Sequence, residues 1–454
     1  MAVMVLAPFF FGSVDLFWVS LWTITLSISA LGGFFVPLKK GQARILLAVV
    51  SLCCVYGVVA IIQIVPHAFD RLNDVIWQRS SELLATPAQP RISSRAEIPP
   101  LAIGHVLLFA VALINGLCIG TSRRDSERIV RCAQYFILSF AVYGFAALLF
   151  TPNLLIWANK TAYLGYLTAT FVNHNTAATL LGAGGILWFC SAFSTAQSVN
   201  FDSVRTILLS RSSEGLAVKL IIRSGAALLC FAALLQTGSR GGLICSFAGL
   251  LGAMVLMMLA KNRSLKPSYA FSVLAAALLV CFLVLARTGR IASQGLIDEG
   301  RWSVYQLAFE AIKRRPLFGS GAGTFADQFP AFRSSNLPSW GVWDFAHSSI
   351  LEIAVEMGVP VAMLIAACAF VSVYVLARAA VTADGYDQRM LAAIAGIAIL
   401  TYLHSLIDFS LQIPGYLIVF GILLGCGLSR ATSDQVNPID SRIPRAEAKR
   451  SHRI

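Results

Sequence analysis

The chain has 454 residues, 57% of them hydrophobic and 13% charged, with a formal net charge of +13. A soluble domain carries roughly a quarter charged residues, so this composition excludes an ordinary soluble enzyme, and the missing period-two alternation excludes a membrane β-barrel. The positive charge does not indicate a nucleic-acid partner, because Lys and Arg sit in short segments between apolar runs rather than in a basic, aromatic-interleaved soluble segment.

Apolar spans are predicted in chain order at 14–36, 42–65, 101–120, 132–150, 175–193, 220–237, 241–260, 268–286, 348–377, 390–406 and 414–428. Runs of about 20 residues cross a hydrocarbon core of roughly 30 Å as helix. The opening 2–11 is short for a crossing. The expected fold is therefore all-α: a polytopic integral membrane protein with about 11–12 transmembrane helices and a large, partly helical periplasmic loop. The first residues carry no basic start, so a cleaved signal peptide is not expected. The 10 cysteines are scattered, nearly all within apolar runs, with Cys53 and Cys54 adjacent and no C-x-x-C. They read as small core hydrophobes rather than zinc ligands or a disulfide framework.

Orientation follows from the loops. Basic groups occur at Lys39, Lys40 and Arg44, then Arg123, Arg124, Arg128 and Arg131, then Arg205, Arg211 and Lys219. They continue at Lys261, Arg263 and Lys266, at Arg378 and Arg389, and in a tail with Arg430, Arg442, Arg445, Lys449, Arg450 and Arg453. All fall on one side if every span crosses once, and the positive-inside rule makes that side cytoplasmic. The chain then divides into N-terminal transmembrane helices (1–286), a large periplasmic loop (287–346), C-terminal transmembrane helices (347–430) and a basic cytoplasmic tail (431–454). Opposite the basic groups, 66–100 reads as a loose polar excursion and 151–174 as an interfacial segment. The loop is too aromatic, with Trp302, Phe309, Phe318, Phe325, Phe329, Trp340 and Trp343, to be disordered.

Five polar patches stand out. In Thr237-Gly238-Ser239-Arg240-Gly241-Gly242, glycines permit close backbone approach. Arg240 is either a ligand contact at membrane depth or a snorkelling headgroup contact. In the loop, positions 301, 305, 308 and 312 share one helical face, so Arg301 sits at the end of an amphipathic helix that Pro316 stops, followed by a glycine-rich turn at 319–324. That turn is a weak nucleotide motif, with no strand before it and no Lys after it. In Asp344-Phe345-Ala346-His347-Ser348-Ser349, Asp344 or a serine caps the next helix. His347 is placed in its first turn, with Glu352 and Glu356 on other faces. A histidine of near-neutral intrinsic pKa beside an arginine-bearing loop is a candidate base. His404 and Asp408, at i,i+4, form either a proton-handling dyad or a buried structural pair. Asn173, His174 and Asn175 suit sugar hydroxyls or helix capping. No H-E-x-x-H, carboxylate cluster or G-x-S-x-G occurs, so neither a metal nor a cofactor is expected.

This constellation resembles the O-antigen ligase and O-antigen polymerase family. The matching pieces are 237–242, Arg301 followed by 316–323, 346–358 with His347 leading Leu351, Glu352 and Gly358, 404–408 with Pro414, and 171–175. The family pattern often reads Asn-Arg-Asn where this chain has Asn173-His174-Asn175, so no guanidinium stands at that patch. The resemblance implies metal-independent, inverting glycosyl transfer at the periplasmic face of a bacterial inner membrane. The donor is a glycan on undecaprenyl diphosphate and the acceptor a sugar hydroxyl, of lipid A–core in a ligase or of a second lipid-linked glycan in a polymerase. Membrane lipids are the remaining partners. Carried across, Arg240 and Arg301 hold the diphosphate and His347 acts at the acceptor, with His404, Asp408, Asn173, His174 and Asn175 in support. The competing class is a polysaccharide transporter or flippase, but no repeat halves or midplane polar groups are visible.

Overall fold

The computed structural model describes residues 1–197, 211–260, 299–333 and 343–433. The predicted span at 268–286, parts of the predicted loop 287–346 and nearly all of the predicted tail lie outside these residues. The described α-helices longer than eight residues are α1 (Leu16–Leu31), α2 (Lys40–Ile64), α3 (Val75–Leu84), α4 (Ile98–Gly120), α5 (Arg123–Phe150), α6 (His174–Ala196) and α7 (Arg211–Gln236). They continue with α8 (Arg240–Leu259), α9 (Glu299–Arg314), α10 (Ser349–Met357), α11 (Val359–Thr382), α12 (Gly385–Ser405) and α13 (Pro414–Ala431). A two-residue antiparallel pair, Leu154–Leu155 with Ala158–Asn159, is the only strand structure among the described residues.

Eight of these helices, α2, α4, α5, α6, α7, α8, α11 and α13, are long and apolar enough to cross a membrane, as expected for an all-α polytopic membrane protein. Two further predicted spans are weaker by that measure. α1 has 16 residues, and α12 opens on Asp387, Gln388 and Arg389. α12 nonetheless lies inside the bundle, with Leu391, Ile394, Ile397 and Leu400 buried. α13 is buried along its whole length and packs chiefly on α4. α8 and α12 cross at glycine: a Cβ on Gly249 would meet the Gly396 carbonyl oxygen at 2.3 Å. Small residues allow backbones this close in a bundle, and the crossing fixes the start of α8 relative to the end of α12.

The two ends of the bundle differ. At one, the Gln42 amide donates to Ser429 Oγ at 2.9 Å, Arg430 binds Asp387 through Nε (3.0 Å) and Nη2 (2.8 Å), and Arg123 lies 5.8 Å from the Tyr386 ring. The basic segments around 39–44, 123–131, 386–389 and 430 therefore share an end. At the other, Thr170 Oγ1 donates to the Pro8 carbonyl (2.6 Å) and Gly415 N to the Gly12 carbonyl (2.8 Å).

Two expectations are corrected. The single span predicted at 348–377 is two helices, α10 and α11, because Gly358 adopts φ +85° and Pro360 opens the next helix. A proline lacks the N–H that a continuous helix needs at that point. Apolar periodicity alone reads straight through this break. The excursion 66–100 is not loose. It contains α3, and it docks on the loop through Arg315 Nη2–Asp74 Oδ2 (3.2 Å), Arg315 Nη1 to the Ile92 carbonyl (2.8 Å) and Arg95 Nη1–Asp327 Oδ1 (3.2 Å).

Candidate functional site

The 237–242 turn forms as its composition requires. Gly238 takes φ +68°, Thr237 Oγ1 accepts from Ser239 N (3.2 Å), and Ser239 Oγ caps α8 by accepting from Gly242 N at 3.1 Å. Arg240 is thus the first residue of α8, partly buried. The next residue faces the end of α12, since a Cβ on Gly241 would come within 2.7 Å of Ile407 Cδ1 and 3.4 Å of His404 Nε2.

Arg301 is near the start of α9, which runs as an amphipathic helix with Val304 and Ala308 buried. Its guanidinium Nη1 donates to the Ile407 carbonyl at 2.9 Å, a contact across 106 residues of sequence. One turn further, Tyr305 Oη donates to the His347 carbonyl at 2.9 Å. Beyond the helix the glycine-rich turn forms, with Gly319, Gly321 and Gly323 all at positive φ. It is clamped by Gln63 of α2, whose amide nitrogen donates to the Phe318 (2.6 Å) and Glu356 (2.7 Å) carbonyls while its oxygen accepts from Ala322 N (2.9 Å).

His347 is not in the first turn of α10, as expected, but just before its cap. Ser348 is the capping residue, and His347 holds φ +52°. Left-handed backbone at a non-glycine residue is strained, and such strain gathers at functional sites. What holds it is Glu352, whose Oε2 accepts from Ala346 N at 2.7 Å. The imidazole lies edge-to-face between Trp343 (5.3 Å) and Phe409 (5.0 Å). Arg301 and His347 therefore reach one short segment, 404–410, and Gly241, the residue after Arg240, packs against the same segment.

Behind them lies a buried network. Asn175 Nδ2 donates to Asp408 Oδ1 (2.8 Å), Ser239 Oγ to Asn175 Oδ1 (2.7 Å) and Ser410 Oγ to Asp408 Oδ2 (2.6 Å), while Thr179 Oγ1 meets His404 Nδ1 (2.7 Å). The i,i+4 dyad does not form as drawn from sequence. α12 ends at Ser405, so Asp408 lies beyond the helix, and its carboxylate is bound by Asn175 and Ser410. Asn173 caps α6 by accepting from Asn175 N (2.8 Å). His174 bonds the Thr237 carbonyl through Nδ1 (2.7 Å) and stacks on Tyr163 at 4.0 Å.

Sequence reading named the carboxylates of α10 but gave them no role. Glu352 and Glu356 do not face apart: both are buried, and Glu356 Oε1 accepts from Phe325 N at 2.9 Å. Burial pushes Glu356 up to about 7 against the pull of backbone N–H groups. Burial, and then the neighbouring Glu356, raise Glu352 as well. The signal was present in their i,i+4 spacing within an otherwise apolar helix. Gln63 had no signal, because its partners lie more than 250 residues away.

A many-helix membrane protein with basic segments gathered at one end and two arginines and a histidine at the other is thereby defined. A family model described as O-Antigen ligase matches residues 225–366, a stretch that contains Arg240, Arg301 and His347 but neither 173–175 nor 404–408. The match bears out the resemblance to the O-antigen ligase and polymerase family and supports an enzyme of glycosyltransferase type. No curated protein matches the chain.

Proposed function

We propose that the chain is an O-antigen ligase-type inverting glycosyltransferase. In this reading it moves a glycan from undecaprenyl diphosphate to a sugar hydroxyl of lipid A–core at the periplasmic face of the inner membrane. The observation that carries the reading is that Arg301 and His347 contact residues 404–410 and that the α8 start bearing Arg240 packs on the same segment through Gly241, away from the basic end. Basic segments mark the cytoplasmic side, which supports a periplasmic reading of the opposite end.

The acceptor oxygen attacks the anomeric carbon on the face opposite the diphosphate. The new C–O bond forms as the bond to the diphosphate oxygen breaks, and that electron pair stays on the diphosphate. The hydroxyl proton passes to the neutral His347 imidazole, a base suited to operation near pH 7. Arg240 and Arg301 present planar forks to phosphate oxygens and stabilise the charge growing there, an effect that is large in a site shielded from water. His404, Asp408, Asn173, His174 and Asn175 hold the segments that carry these groups.

The test is reconstitution of the purified chain with a lipid-linked glycan donor and lipid A–core, in EDTA. Glycan joined to lipid A–core without added metal is expected. Elongated lipid-linked glycan with lipid A–core untouched would identify a polymerase. A requirement for magnesium or manganese would give the diphosphate to a metal and reduce the arginines to positioning.

A further inference from the structure

At the basic end, opposite the site just described, a cavity of about 320 Å³ opens among α5, α6, α7 and α12. Arg131, Arg223 and Arg389 all line it, with Glu127, Gln134 and Tyr386. The single carboxylate is already engaged, since Glu127 pairs with Arg123 at 3.4 Å. Arg131 donates to the Glu127 backbone carbonyl (3.3 Å), Arg223 donates to the Ser191 carbonyl (3.3 Å) and to Thr195 Oγ1, and Arg389 lies 5.2 Å from the Tyr386 ring. Among the described residues, none of the three guanidinium groups forms an ion pair with a carboxylate. The Tyr386 hydroxyl is buried with no hydrogen-bond partner among those residues.

Arg131 is exposed and Arg223 and Arg389 are half-buried, so the three guanidinium groups gather positive charge around a recess whose one carboxylate is already engaged, which favours an anion. A buried hydroxyl without a partner is costly. One ligand answers both. We infer that the cavity binds a phosphate group, the chemistry shared by the headgroup of an anionic phospholipid in the adjoining leaflet and by free inorganic phosphate. A phosphate has oxygens enough to accept from two guanidinium forks and the Tyr386 hydroxyl together. The volume is at the small end of ligand pockets, sufficient for a headgroup whose acyl chains remain in the bilayer. Basic pockets between transmembrane helices recognise lipid headgroups in this way. The ligand holds α5, α6, α7 and α12 together at the end remote from Arg301.

The experiment uses the full-length chain in phosphatidylcholine nanodiscs, with native mass spectrometry reading retained lipid. Phosphatidylglycerol should be retained in preference to phosphatidylcholine. In the Arg223→Gln/Arg389→Gln double variant its affinity should fall by about tenfold or more, the scale of losing a charge-assisted contact. The double variant also loses the Arg223 bonds to Ser191 and Thr195 and the Arg389–Tyr386 contact, so a modest drop in melting temperature in pure phosphatidylcholine is expected and retention is read on the folded fraction. Should it fail to fold, Tyr386→Phe, which removes one hydroxyl, must still weaken retention several-fold. Displacement of phosphatidylglycerol by millimolar inorganic phosphate assigns the site to free phosphate, and resistance to it assigns the site to the lipid. No preference for phosphatidylglycerol together with no phosphate binding, or undiminished binding in the variants, overturns the inference.

Discussion

Two layers meet on residues 404–410, and they are built on opposite principles. The inner layer, Asn175, Thr179, Ser239, His404, Asp408 and Ser410, is buried and bonded side chain to side chain. The outer layer, Arg240, Arg301 and His347, is partly exposed and is held by backbone: a helix start, a carbonyl contact and a strained turn. A buried polar group without partners is expensive, so networks of the first kind fix geometry. Groups of the second kind lie partly exposed, where a ligand can reach them. On the proposed reading, His404 and Asp408 are scaffolding and the rim carries the chemistry.

That division can be broken by substitution. The largest effect is expected at His347: His347→Ala should cut transfer by about 10²–10⁴-fold, the range for a lost general base, while donor binding and membrane insertion persist. Activity close to native in this variant, with loss in His404→Ala, would move the base to the inner layer. Next come Arg301→Lys and Arg240→Lys. An ammonium keeps the charge but not the fork, so each should lose about 2–4 kcal/mol of transition-state stabilisation, or roughly 30- to 1,000-fold in rate. Rates measured at matched protein levels decide this, because simple headgroup contact would tolerate lysine.

Substitution in the inner layer should read out differently. Asp408→Ala strands the Asn175 amide and the Ser410 hydroxyl, at about 1–3 kcal/mol for each stranded group. A lowered melting temperature is expected, with the rate per folded molecule within a few-fold of native. The smallest effect concerns Glu356. Its folded pKa is raised to about 7, so the stabilisation from its proton is full at pH below the ordinary carboxylate range and disappears as pH rises through 7. Melting temperature should therefore fall from pH 5 to pH 8, and Glu356→Gln should flatten that slope while its carbonyl still accepts from Phe325 N. An unchanged slope would show that the carboxyl is ionised throughout.

Much of this was legible from local pattern. Apolar runs gave the helices, Pro316 the end of α9, the 319–324 glycines their turn, and Asn173 its cap. What escaped depended on contacts distant in sequence or on breaks that hydropathy does not see. Gly358 and Pro360 interrupt a run that stays apolar on both sides. Arg301 could be placed on a helix face, but not its partner at Ile407. The i,i+4 rule misled at His404 and Asp408 because the helix ends between them. The same spacing at Glu352 and Glu356 did put both carboxylates against the loop backbone, but only the folded loop shows what they bind.

Gln63 bears on how such a protein can be taken apart. It lies well outside residues 225–366, yet three bonds from its single amide hold a turn and a helix in the last third of that stretch. The segment that a family shares is thus not a module that can be cut out and moved. A chimera that swaps 225–366 between relatives, however well its junctions are chosen, is expected to assemble only if its recipient offers an amide at the position of Gln63.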